Sequence, residues 1–167
     1  AGAAMCRDPL SLGRVLTAMV RAVRIPVTIK IRTGWDAESR NAHEVVKAAT
    51  DAGVEWVVIH GRTRAAGYSG LADWDFIGDV KAHSKIPIIG NGDIGSGAQA
   101  VEYVDRYGVD AVWIGRAALR NPFIFEQARA RWWGQPEPAV TAERYLDLLR
   151  EQRGYLEEAF RPRTAML

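Results

Sequence analysis

Ile86-Pro87-Ile88-Ile89-Gly90-Asn91-Gly92-Asp93-Ile94 begins as an apolar run and ends with an amide and a carboxylate set among glycines. Reversal of the chain alone could be achieved by Asn-Gly. The added Asp93 therefore points to a second task at this corner. The same construction recurs elsewhere in the chain, and that recurrence decides the fold.

Short apolar runs over 27–31 (VTIKI), 56–59 (WVVI), 86–89 (IPII) and 111–114 (AVWI) read as strands, each rich in β-branched residues. Between them the apolar period lengthens to that of helices. These are predicted over 9–23, with Pro9 in the first turn, and over 41–52, with Asn41 as N-cap and Gly53 at the C-terminus. Two more are predicted over 75–83 and over 96–107, the latter closed by Gly108. Strands alternating with helices through short connections imply a parallel sheet covered by helices. Lys30, His60, Asn91 and Gly115 follow one another at roughly 25 to 30 residues, the length of one βα unit in a (β/α)8 TIM barrel of about 250 residues. The expectation is four units of such a barrel over 1–133, a proline-rich linker over 134–140 (GQPEPAV), and the start of a helical element over 141–167 with Thr141 as N-cap.

Composition sets outer limits. The 167 residues are 48% apolar and 25% charged, as in an ordinary globular domain. No apolar run approaches the roughly 20 residues of a membrane span. The net charge of +2 permits an anionic partner without demanding one. Most of the arginines alternate with acids and read as solvated helix faces. Cys6 is the single cysteine, which excludes an internal disulfide and a cysteine-cluster metal site, reads as a buried inert thiol and fits a reducing cytoplasm. No metal ligands are assigned. The opening AGAAMCRDP has neither an initiator Met nor a signal pattern, so the sequence reads as a piece of a longer protein.

Each strand ends in chemistry: Lys30 to Arg32, His60-Gly61-Arg62-Thr63, Asn91-Gly92-Asp93 and Gly115-Arg116. Ligands of parallel α/β folds bind at the carboxyl ends of strands, and a phosphate site after the last two strands recurs in barrels. Lys30 lies in an otherwise apolar strand, where an unpaired ammonium is costly. Either an anionic ligand or a carboxylate such as Asp93 would resolve that cost. His60 reads either as a core histidine or as a ligand group.

KIRTGWD, HGRT, NGDI and IGRAALRNPFIF, in this order and spacing, closely resemble the tRNA-dihydrouridine synthases, as does the leading GAAMCRDP. The resemblance implies an FMN-dependent, NADPH-linked oxidoreductase that reduces uridine in tRNA. It assigns Lys30 to the flavin ring and His60 to the flavin pocket. Asn91, Gly92 and Asp93 fall on the ribityl-phosphate side, and Gly115 and Arg116 on the phosphate. Arg62 is left as a cofactor or RNA contact, and Phe123 and Phe125 as packing residues. The family's general-acid cysteine lies in an N-x-G-C-P motif that this sequence does not contain, and Cys6 does not match it. The implied partner is tRNA, with no DNA or membrane, and the oligomeric state is left open. Two other readings stand beside this one: an FMN barrel acting on a free pyrimidine, like dihydroorotate dehydrogenase, and a non-catalytic RNA-binding module.

Overall fold

The computed structural model describes residues 2–160. Residues 161–167, the end of the expected helical element, lie outside the described residues. Two helices, α1 (Gly2–Met5) and α2 (Pro9–Ala22), lead into β1 (Ile29–Arg32). There follow α3 (Ala42–Ala52), β2 (Val57–His60), α4 (Trp74–His83), β3 (Ile88–Asn91), α5 (Gly97–Tyr107) and β4 (Ala111–Trp113). The chain closes with α6 (Ala117–Arg120), α7 (Ile124–Trp132) and α8 (Ala142–Ala159). The four strands are parallel and lie side by side in chain order, the arrangement of consecutive units in a (β/α)8 barrel. Among the described residues no helix is long and apolar enough to cross a membrane.

Three strands begin and end later than the apolar runs suggest, because hydrophobicity reports burial whereas a ladder needs N–H donors. Pro87, inside the third run, lacks that donor, and β3 starts after it. The ladder instead continues into the polar tips, where Arg32 pairs with His60, His60 with Asn91, and Asn91 with Trp113. This register puts the strand-end side chains in one row. Alternation does the rest. Ile31, Val57, Ile59 and Ile88 join the helix-packed core with Val45, Val46, Ala49, Ile77 and Val80. Lys30, Arg32, His60 and Asn91 stand on the opposite face and line one cavity.

Local chemistry fixes the helices. Asp73 accepts from the Phe76 N–H at 2.9 Å and Ser96 from the Gln99 N–H at 3.1 Å, and Gly53 ends α3 in the left-handed region at φ 86°. Asn41 occupies the expected cap position of α3 but makes no side-chain cap. Its amide donates instead to the Cys6 carbonyl at 2.7 Å, tying the turn before α2 to α3. Cys6 is a free thiol, partly rather than fully buried.

Residues 135–141 have no regular structure. Beyond them Thr141 caps α8 as expected, accepting from the Arg144 N–H at 3.3 Å. Only the first turns of α8 dock. Arg144 pairs with Glu126 at 2.6 Å, Tyr145 Oη donates to the Arg120 carbonyl at 2.5 Å, and the Tyr145 ring meets Phe123 edge-on. Phe123 is thus a packing residue. Phe125 is not, being 55% exposed on the outer side of α7.

The indole of Trp74 underlies the tip of β3. It is buried, its Nε1 donates to the Gly92 carbonyl at 2.9 Å, and a Cβ at Gly90 would overlap its six-membered ring. Gly90→Ala is expected to lower stability by about 1 to 3 kcal/mol through overpacking, read as a lower urea midpoint at unchanged slope. An unchanged midpoint would mean that the indole moves aside freely.

Candidate functional site at the strand ends

The row of strand tips forms one wall of a cavity of about 580 Å3, and the loops after β3 and β4 form the other. Lys30, His60, Asn91, Gly92, Asp93, Gly115 and Arg116 all reach it. The structure adds Arg32, Tyr68, Arg120 and Asn121. Arg32 was legible, since it lies two residues after Lys30 on the same strand face. Tyr68 was not, because it is delivered by the irregular loop after β2. There its ring sits beneath the Arg116 guanidinium, 4.5 Å from the centroid, with that of Arg32 at 6.0 Å.

Arg62 is placed differently from the expectation. Its side chain is 4% exposed, and all its donors are spent within the protein. It holds both oxygens of Asp93, at 2.9 and 2.7 Å, in a bidentate pair. It also donates to the Ser69 carbonyl at 3.1 Å and the Gly70 carbonyl at 2.5 Å. A guanidinium so enclosed has no donor left for RNA, so Arg62 serves as the frame behind the wall. Asp93 further accepts from the Ala72 N–H at 2.7 Å and lies 3.6 Å from Arg116. Burial pushes its carboxyl up, but the hydrogen bonds from Arg62 and Ala72 and the two arginine charges outweigh that, holding it below the usual carboxylate range.

These bonds explain the glycines of the corner. Asp93 has φ 55°, an uncommon left-handed value for a residue with a side chain. Gly92 has φ 132°, and a Cβ there would strike Ala72 and the His60 ring. Asn91 donates its amide to the Trp113 carbonyl at 2.7 Å, stitching the β3 tip to β4.

Lys30 makes no ion pair among the described residues; the carboxylate considered as its partner belongs to Arg62 and Arg116. Its ammonium lies 5.9 Å from the Trp113 ring centroid, and burial, with Arg32 nearby, presses its pKa down. His60 is 6% exposed. Burial first, then the charges of Arg32, Lys30 and Arg62, bring its pKa down to about 4. It is therefore neutral near pH 7. Because a guanidinium can only donate, the 3.4 Å approach of Arg62 Nη1 makes His60 Nε2 the acceptor and leaves the proton on Nδ1.

The cavity wall is cationic overall. Lys30, Arg32, Arg116 and Arg120 face it, and the one carboxylate among its described lining residues, Asp93, is already matched. Such a set is chemically suited to an anionic group.

Two outcomes check this geometry. Arg62→Ala removes one partner of an enclosed pair and is expected to cost about 3 to 5 kcal/mol; a loss below about 1 kcal/mol in denaturant unfolding would show that Asp93 is adequately solvated without it. In an NMR titration His60 is expected to stay neutral down to about pH 4. Its folded pKa lies below the unfolded one, so the unfolded chain binds the extra proton first. Stability at this residue is then intact above pH 6.5 and is lost as pH falls toward 4. His60→Asn should reduce that acid sensitivity.

Comparison with known proteins agrees with this layout. The family profile described as dihydrouridine synthase (Dus) matches residues 1–167. The chain is 43% identical to a "Probable tRNA-dihydrouridine synthase" of Rickettsia prowazekii, over 89% of this chain and 46% of that protein. It is 48% identical to "tRNA-dihydrouridine synthase B" of Xanthomonas campestris, over 75% of this chain and 38% of the relative, and 46% identical to its namesake in Pseudomonas aeruginosa, over 76% and 38%. The chain spans about half or less of the length of these curated relatives. Four parallel βα units with a cationic cavity at their carboxyl ends, matched along the whole sequence, show that the chain belongs to the dihydrouridine synthase family.

Proposed function

We propose that this chain supplies the phosphate side and part of the ring pocket for FMN in an enzyme that reduces uridine to 5,6-dihydrouridine in tRNA, with NADPH as reductant. The observation that carries the reading is the ammonium of Lys30, which is exposed to the strand-end cavity. It has no acid partner among the described residues and stands in a wall with three arginines. A bound anion would offset this concentration of like charge. The fit extends to Asn121, which lines the cavity and has a buried Oδ1 without a protein donor, an acceptor suited to a ribityl hydroxyl.

When bound, FMN would supply the hydride chemistry of this reduction, with NADPH as the source of reducing equivalents. The chain's residues have distinct parts in this. Lys30 provides positive charge beside the ring and favours its reduced, anionic form. Neutral His60 offers a hydrogen-bond donor rather than a charge, its tautomer fixed by Arg62. Asn91, Gly92, Asp93, Gly115 and Arg116 make the phosphate side, with Arg116 as the charge that meets the anion and Asp93 as its anchor. Tyr68 is 66% exposed between two arginines at the mouth, so the nucleotide substrate would meet it there.

The proton for C5 comes from a cysteine in an N-x-G-C-P segment, which this sequence does not contain. Cys6 cannot replace it. It does not line the cavity, and burial raises its pKa, the opposite of an activated thiol. By itself the chain is therefore inactive. In this reading residues 2–133 belong to the barrel part, 134–140 are the linker, and 141–160 begin a helical element that helps to hold the RNA.

The test is NADPH-dependent dihydrouridine formation on unmodified tRNA by full-length protein, with free uracil and orotate as comparison substrates. Product on tRNA alone is expected, whereas turnover of the free pyrimidines would shift the assignment to a small-molecule enzyme. Lys30→Ala should reduce FMN retention or flavin reduction by at least about tenfold. Unchanged flavin content and kinetics would remove Lys30 from the site.

A further inference from the structure

On the outer surface, away from the cationic cavity, three ligand-bearing side chains converge from two helices. His43, on α3, places Nε2 2.9 Å from Asp79 Oδ2 on α4. His83 lies one turn beyond Asp79 on the same face of α4, with Nδ1 2.8 Å from the Asp79 backbone carbonyl and 3.5 Å from Asp79 Oδ1. One donor atom from each of the three lies within 4.8 Å of the others. Sequence reasoning assigned no metal ligands, because the two helices that bring these groups together are far apart in the chain.

The arrangement is partly preset. The His43 ring stands edge-on to Phe76 at 5.5 Å, and the far side of that phenyl group carries the Arg40 guanidinium at 3.8 Å. The two imidazoles meet edge to face with centroids 5.7 Å apart. Beside them a cavity of about 300 Å3 opens between α3 and α4, with room for water ligands. Lys47 and Lys85 also line it, and Lys47 is already paired with Asp51 at 2.6 Å.

Two imidazole nitrogens and one carboxylate oxygen form the donor set that suits zinc and its neighbours in the first transition row. Ligand bonds of about 2.0 to 2.2 Å to zinc bring donor atoms closer than 4.8 Å. The needed adjustment falls on His83, which is 69% exposed and can release the Asp79 carbonyl and swing inward without repacking the core. His43 and Asp79 already touch. A cation between them replaces a shared proton by a bond to each. No residue of the proposed uridine reduction is involved.

We propose that His43, Asp79 and His83 form a zinc-binding site, completed by water, that fastens α3 to α4. The full-length protein, stripped with a chelator, would be titrated with Zn2+ calorimetrically and with Co2+ by visible absorption. One zinc per chain at micromolar affinity is expected, with cobalt giving the intense bands of a four-coordinate site. Zinc should also raise the melting temperature. His83→Ala and His43→Gln should each weaken binding by at least about tenfold and abolish the melting shift. Because His83 is exposed, its variant keeps the fold and decides the matter if the His43 variant is destabilised. Absence of uptake, or equal affinity in wild type and His83→Ala, overturns the site. Neither readout depends on flavin or tRNA, so failure here leaves the proposed function untouched, and the reverse also holds.

Discussion

The enclosed pair between Arg62 and Asp93 is the interaction on which the strand-end cavity depends. It bridges the tips of β2 and β3. Through Ser69, Gly70 and Ala72 it also draws the loop after β2 against the same corner. Arg62 is buried and Asp93 partly so, and burying the guanidinium would be unfavourable without matched geometry. Here the bidentate contact and the carbonyl acceptors satisfy the guanidinium, and the backbone N–H of Ala72 helps to satisfy the carboxylate. The same guanidinium sets the tautomer of His60 and contributes to keeping it neutral. One pair therefore fixes a backbone corner, a loop and a ring.

The consequence is electrostatic. With Asp93 matched by arginines, Lys30 and Arg32 face the cavity without a competing carboxylate among its described lining residues. A wall of that kind is well suited to an anion. The exposed faces tell a related story. Leu10, Val15, Met19 and Val23 on and beside α2 lie 41 to 80% exposed, while the faces of α3 and α4 toward the sheet are sealed. The four units pack well against one another, and α2 keeps an apolar flank.

Much of this was legible in the chain. The alternation of short β-branched runs with helical periods gave parallel βα units, and glycine beside polar groups marked the strand ends. What the one-dimensional pattern could not show was which polar group meets which. Arg62 reads as an available cation in HGRT, yet folding places it behind the cavity, because Asp93 lies 31 positions away but one strand over. Asn41 reads as a helix cap, yet a carbonyl from the preceding segment competes for its amide. The strand limits moved for a similar reason. Proline removes ladder donors while leaving hydrophobicity intact, and the tips are paired despite being polar. Tyr68 and the histidines of α3 and α4 belong to contacts between units, which no local period records.

The most direct test of the central claim is the visible absorption of the purified full-length protein, followed by release of its chromophore on denaturation. The cationic strand-end cavity predicts a yellow protein with the two-banded spectrum of oxidised flavin, releasing FMN rather than FAD. Colourless protein that takes up no FMN on incubation would contradict the account and leave Lys30 and its arginines facing some other anion.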